Sequence, residues 1–236
     1  MPETDNRYLS SRGLLKSCDI HSETPHSSIM SVVNTKFKVV EDKGQLPSIY
    51  ICSSAIPDFL ENHLPSIDYR FVLVSGDCDE TIPFEIFGNE QDFESFVGNE
   101  KIVHWYCQNL IIKHPKMTQI PIGLDYHTMT CSTVWGPLTT CESQEESVSI
   151  LRKKTLPWSE RRLQCYCNYH FSMKTKHAGD REKAYNVVPK DICVFEKVRV
   201  PRLESWMNQV YCAFVVSPHG NGLDCHRTWE ALVLGC

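Results

Sequence analysis

The chain has 236 residues, 42% of them hydrophobic, and a formal net charge of −5. That length and apolar content suffice for one large core or two small ones and argue against a disordered chain, while the mild acidity offers no broad basic surface to neutralise nucleic-acid phosphates. No apolar run approaches the ~20 residues that a membrane-spanning helix needs, and 12 cysteines without one Asn-x-Ser/Thr sequon point to reduced thiols in a cytoplasmic setting.

Residues 1–30 are rich in Ser, Thr, Asp, Glu and His with little apolar periodicity, which predicts a loosely ordered N-terminal arm. From Phe37 onward, short apolar runs predict strands over Phe37 to Val40, Ile49 to Cys52, Phe71 to Val74, Ile102 to Tyr106 and Ile120 to Ile122. Helix-compatible stretches at Pro57 to His63 and Glu90 to Val97 lie between some of them. Continuous apolar strands separated by helices predict a parallel sheet covered on both faces. An α/β unit is therefore expected over 31–145, followed by a Ser-, Thr-, Glu- and Pro-rich linker over 146–160 with a short basic helix near Ile150 to Lys154. A second α/β pattern fills 161–236: strands Leu163 to Tyr169, Ile192 to Phe195 and Ala213 to Val216, with helices from Arg181 and near Leu203 to Val210.

The last of these strands runs into Ser217-Pro218-His219-Gly220-Asn221-Gly222-Leu223-Asp224 and then into the helical stretch Cys225 to Leu234. In an open parallel sheet such a turn lies at the carboxyl ends of the strands, where ligands bind, and the following helix offers free N–H groups to a phosphate. Gly220 and Gly222 would allow the backbone close to a pyrophosphate. Arg227 and Glu230 stand three apart on one helix face. The guanidinium suits a phosphate and the carboxylate suits the hydroxyl pair of a ribose; an ordinary surface Arg–Glu pair is the other reading.

The string Ser217 to Leu232 with Gly235-Cys236 resembles the nucleotide-sugar motif of exostosin-like glycosyltransferases, especially the shorter relatives encoded by large algal viruses. Two further stretches are similar to that family: Trp105, Gln108-Asn109, His114-Pro115-Lys116 with Ile120 to His127, and Asn168 to Arg181 with Lys174, Thr175 and Gly179-Asp180-Arg181. The similarity spans roughly 48–236. It implies a two-domain, inverting, metal-independent glycosyltransferase of the GT-B type, with two Rossmann-like halves and a cleft between them. No cofactor is then required. The donor would be a UDP-sugar, UDP-xylose for example, and the acceptor a glycan or glycoprotein hydroxyl. The resemblance also implies further elements beyond Cys236, so the second half is expected to be incomplete.

Donor contacts are accordingly expected from Ser217, His219, Gly220, Asn221, Gly222, Arg227 and Glu230, with Lys174 and Arg181 adding phosphate contacts, although a solvated basic face explains the latter two equally. Asn109 and Lys116 are expected on the acceptor side. After the apolar strand Phe71 to Val74, Asp77 and Asp79 lie in a run of carboxylates; either suits the general base that takes the acceptor proton. Alternatives are a metal-dependent transferase holding Mn or Mg on the Asp77-x-Asp79 pair, a solvated acidic turn, or a nucleotide- or glycan-binding module without transfer activity. Cys165-x-Cys167-x-x-His170 has zinc-ligand residue types, but strand alternation puts Cys165 and Cys167 on one buried face, so no metal site is expected.

Overall fold

A computed structural model describes residues 3–23, 27–38 and 44–236. The chain divides into two compact units, one of residues 11–122 and one combining residues 1–10 with 123–236. Both are mixed α/β with a parallel sheet, a build compatible with Rossmann-like halves.

In the unit of residues 11–122, helices α1 (Ser11–Ser17) and α2 (Met30–Val33) precede strand β1 (Ser48–Cys52). A short helix α3 (Ile56–Asp58) and a π-helical turn, Phe59–His63, lead to β2 (Phe71–Gly76); α4 (Glu90–Gly98) leads to β3 (Ile102–Cys107), and β4 (Met117–Gln119) closes the sheet in the order β1-β2-β3-β4. All three pairings are parallel. Ile49, Ile51, Phe71, Leu73, Ile102 and Trp105 are buried together with Phe59 and Phe96 of the crossovers. Phe96 meets Trp105 edge-on at 5.3 Å, a geometry that aromatic pairs favour. Asn89 starts α4 by accepting a 2.8 Å hydrogen bond from the Asp92 amide, as an N-cap side chain does.

Four expectations change here. Residues 1–30 are not a loose arm where described: Leu15 is fully buried, and Ile20 pairs with Ile49 at the edge of β1. Phe37 and Lys38 are outside any strand, and Val39 and Val40 lie outside the described residues. The strand expected at Ile120 to Ile122 lies earlier, at β4, because Pro121 has no N–H to donate to a ladder. The segment Pro57 to His63 forms irregular helical turns rather than one regular helix.

In the other unit, α5 (Thr128–Cys131) and α6 (Cys141–Lys154) precede β5 (Arg162–Cys167), α7 (Ala178–Val187), β6 (Cys193–Phe195), α8 (Arg202–Gln209), β7 (Cys212–Val215) and α9 (His226–Leu234). The sheet order is β6-β5-β7, all parallel. Val148, Trp206, Val210 and Leu234 form the core between α6, α8 and α9. Gly235 ends α9 with a left-handed φ of 82°, the C-terminal role glycine fills without steric cost. Residues 146–160 are therefore not a linker: α6 occupies most of them, capped by Thr140, whose hydroxyl accepts from the Ser143 amide at 3.1 Å. The boundary between units falls at Ile122 and Gly123 rather than near 145. Gly123, at φ 71°, comes so close to the Leu9 carbonyl that a Cβ there would sit 2.5 Å from its oxygen.

Candidate functional site

The β6-β5-β7 order means that the chain leaves β5 to one side and returns across it to the other. In open parallel sheets the crevice at such a reversal, outside the carboxyl ends of the strands, is where ligands bind. Here that crevice lies beyond β5 and β7, where Asn168 and Ser217 follow the strand ends. Val216 extends the pairing, donating its amide to the Tyr166 carbonyl at 3.1 Å.

Arg227, on the first turn of α9, joins the two strand ends. Its Nε donates to Asn168 Oδ1 at 3.1 Å, and a terminal nitrogen donates to the Pro218 carbonyl at 3.1 Å. The hydroxyls of Ser217 and Thr228 share a 2.8 Å hydrogen bond beside it. Arg181, buried on α7, donates through Nε to the His219 carbonyl at 2.8 Å and through a terminal nitrogen to the carbonyls of Tyr169 and Ser172. The His177 amide donates to the Gly220 carbonyl at 3.1 Å, and the His219 amide to Asp180 Oδ2 at 2.8 Å. These bonds hold the 217–222 loop against the segment that follows β5. Cys225 at the N-cap position supplies no side-chain cap to α9, so among the described residues the first-turn N–H groups are left without the usual capping acceptor.

Neither Arg181 nor Arg227 forms an ion pair among the described residues. Burial lowers the pKa of each, and for Arg181 the charge of Arg227 adds to the effect. Two neighbouring cations, held by neutral carbonyl and amide oxygens, with Glu230 acting on Arg227 through its charge but not as an ion pair, form an electrostatic setting for an anion. Arg181 serves chiefly as a brace for the loop, however. Gly220 and Gly222 avoid left-handed φ values, and the bare Gly220 makes room for the Arg181 guanidinium, 3.0 Å from where a Cβ would stand.

Glu230 is buried and faces Arg202, whose Nε lies 3.5 Å from Glu230 Oε1. Arg202 also pairs with Asp125 at 2.8 Å and donates to its carbonyl. Burial alone would raise the Asp125 pKa, but Arg202, His127 and His226 override it and hold the carboxyl well below the ordinary range. The other expected donor residues lie on the surface of this region. His219 and Asn221 are exposed, with His219 near Asp180 and Asn221 accepting from the Lys176 amide at 3.3 Å. Lys174 is exposed and without a partner among the described residues.

In the unit of residues 11–122, Asp77 follows β2 with a left-handed φ of 57° and is buried. Its Oδ2 accepts from Arg12 at 3.0 Å and from Ser27 Oγ at 2.7 Å. Asp79 is exposed. Asn109 and Lys116 are not brought together. Asn109, after the carboxyl end of β3, is buried and donates to the Cys78 carbonyl at 3.0 Å. Lys116, before the amino end of β4, donates to the carbonyls of Val97 and Asn99 at the end of α4. Among the described residues no three His, Cys, Asp or Glu side chains are arranged to hold a metal ion, and His170 Nε2 is bonded to the Glu196 carbonyl.

Sequence reasoning passed over Asn168, Arg202 and Arg12. The position of Asn168 directly after an apolar strand is the one signal that could have marked it. In comparisons with known proteins, no protein-family model matches the chain and no curated protein is significantly similar to it.

Proposed function

We propose that the chain is a glycosyltransferase of the exostosin-like type that takes its sugar from a nucleotide diphosphate donor, a UDP-sugar such as UDP-xylose. In this reading the two parallel-sheet units are the halves of a GT-B enzyme, and residues 123–236 carry the donor. The observation that carries the reading is a pair of neighbouring cations beside the 217–222 loop at the reversal between β5 and β7, the half-buried Arg227 and the buried Arg181, neither in a salt bridge among the described residues. The diphosphate lies against Arg227 and the open amino end of α9, while Glu230, fixed by Arg202, accepts from the ribose hydroxyls.

An acceptor hydroxyl attacks the anomeric carbon as the bond to the diphosphate oxygen breaks, which inverts that carbon. The proton passes to a carboxylate, with Asp77 the candidate base, and the negative charge developing on the diphosphate is stabilised by Arg227 and the helix N–H groups. Incubation with a panel of UDP-sugars, with release of UDP followed by chromatography, tests the proposal: release with at least one sugar and its loss in Arg227→Ala are expected. Absence of release together with retained UDP binding would favour a binding module over an enzyme.

A further inference from the structure

We infer that the carboxyl end of the β1–β3 sheet contains a binding subsite for an alcohol, one that takes a hydroxyl of a neutral sugar and that Ser27 of the chain itself fills in this structure. Two side chains on one sheet face, with a bare glycine between them and Arg12 of α1 beside them, carry the argument. Tyr50 of β1, Gly76 of β2 and the residue after β3, Gln108, lie on the same face, because Tyr50 is in register with Val74, Cys52 with Gly76, and Ser75 with Cys107. The Gln108 amide fills the space that a side chain at position 76 would take, its carbon 2.4 Å from a Cβ there. Its Oε1 accepts from the Asp77 amide at 2.9 Å, which fixes the amide orientation and leaves Nε2 aimed away from that bond.

Gln108 Nε2, the Tyr50 hydroxyl and one terminal nitrogen of Arg12 are fully buried without a hydrogen-bond partner among the described residues. Residues Gln108 and Tyr50 are each 1% exposed and Arg12 is 8%. Buried donors left unpaired cost ~1–3 kcal/mol each, and these three gather around Asp77, which Gln108 and Arg12 contact and whose charge acts on Tyr50, so the place calls for an oxygen ligand. Ser27 indicates what kind. Its hydroxyl donates to Asp77 Oδ2 at 2.7 Å and accepts from Arg12 at 3.1 Å. That is the bonding pattern of a bound alcohol, donating to a carboxylate and accepting from a guanidinium. Charge excludes an anion: Arg12 and Asp77 pair at 3.0 Å, and the following residues Asp79 and Glu80 are acidic. A neutral polyol fits, one hydroxyl in the place of Ser27 and neighbouring oxygens reaching Gln108, Arg12 and Tyr50.

The inference rests on the glycosyltransferase reading for its consequence, namely that the hydroxyl held on Asp77 is the attacking one. Methyl glycosides of common hexoses and pentoses, titrated into the full chain and followed by ligand-observed NMR, test it. Binding of at least one is expected, weakened about tenfold or more in Gln108→Leu and in Arg12→Gln and undiminished in Ser27→Ala, where the competing hydroxyl is gone. Circular dichroism melts identify variants that fold. No binding to either the wild type or Ser27→Ala would overturn the inference, as would equal affinity in the folded Gln108→Leu or Arg12→Gln protein. UDP titrated in parallel separates the two claims. Glycoside binding without UDP binding removes the donor reading and leaves the subsite, whereas UDP binding without glycoside binding removes the subsite and leaves the donor reading.

Discussion

Asp125 and Glu230 share one guanidinium: Arg202 lies 2.8 Å from Asp125 Oδ2 and 3.5 Å from Glu230 Oε1. Its plane also stands over the Trp135 ring, 5.5 Å from the centroid. One buried side chain on α8 thus couples the segment that opens the 123–236 unit to α9. An arginine is suited to this because its planar fork serves two carboxylates at once, which an ammonium on a flexible stem does not.

Removing that guanidinium leaves two buried carboxylates without their cation. Arg202→Met is expected to lower unfolding stability by about 3–5 kcal/mol, read by urea denaturation. An unchanged midpoint would show that Asp125 and Glu230 find other partners.

The same pairing makes stability depend on pH. The Asp125 pKa is depressed in the folded state, so its contribution is fully present above the unfolded carboxyl value of about 3.9 and is lost as pH falls below it toward the folded value. Melting curves between pH 6 and acid should show that loss in the wild type and a shallower one in Asp125→Asn; identical slopes would remove Asp125 from the account.

Gly123→Ala tests the junction between Leu9 and the start of the second unit. A side chain there meets the Leu9 carbonyl and must adopt φ 71°, a combination expected to cost about 1–3 kcal/mol. Gly179→Ala is the control, since nothing lies within 4 Å of a Cβ at that position; a larger effect at Gly179 than at Gly123 would refute the assignment.

If the proposed reading holds, transfer continues in EDTA, because Arg227 and helix N–H groups rather than a metal ion then meet the donor charge. Activity abolished by EDTA and restored by Mn would instead assign Asp77 and Asp79 to a metal.

The sheet strands were legible because burial on both faces leaves continuous apolar runs such as Ile49 to Cys52 and Phe71 to Val74. Of helix α6 only the basic end, Ile150 to Lys154, was; the rest was not, since its buried face is Gln144, Glu145 and Val148, and the polar members are satisfied by partners distant in sequence: Gln144 donates to the Tyr126 carbonyl at 2.8 Å and Glu145 accepts from the Tyr8 amide at 3.0 Å. A Ser- and Glu-rich stretch of that kind reads as a linker until its partners are known. At the candidate site, strand, turn and helix were visible around Ser217 to Leu234, but the hydrogen bonds by which Arg181 braces the 217–222 loop were not, because they join segments distant in sequence. Arg202 carried no local signal, because its importance comes from two carboxylates on other segments.

The most direct measurement is calorimetric titration of UDP into the wild-type chain and into Arg227→Ala. The account predicts saturable binding to the wild type and affinity about tenfold to a hundredfold weaker in the variant, as expected for a lost hydrogen bond to a charged group worth about 1.5–3 kcal/mol. Equal binding by the two proteins, or none by the wild type, would contradict it.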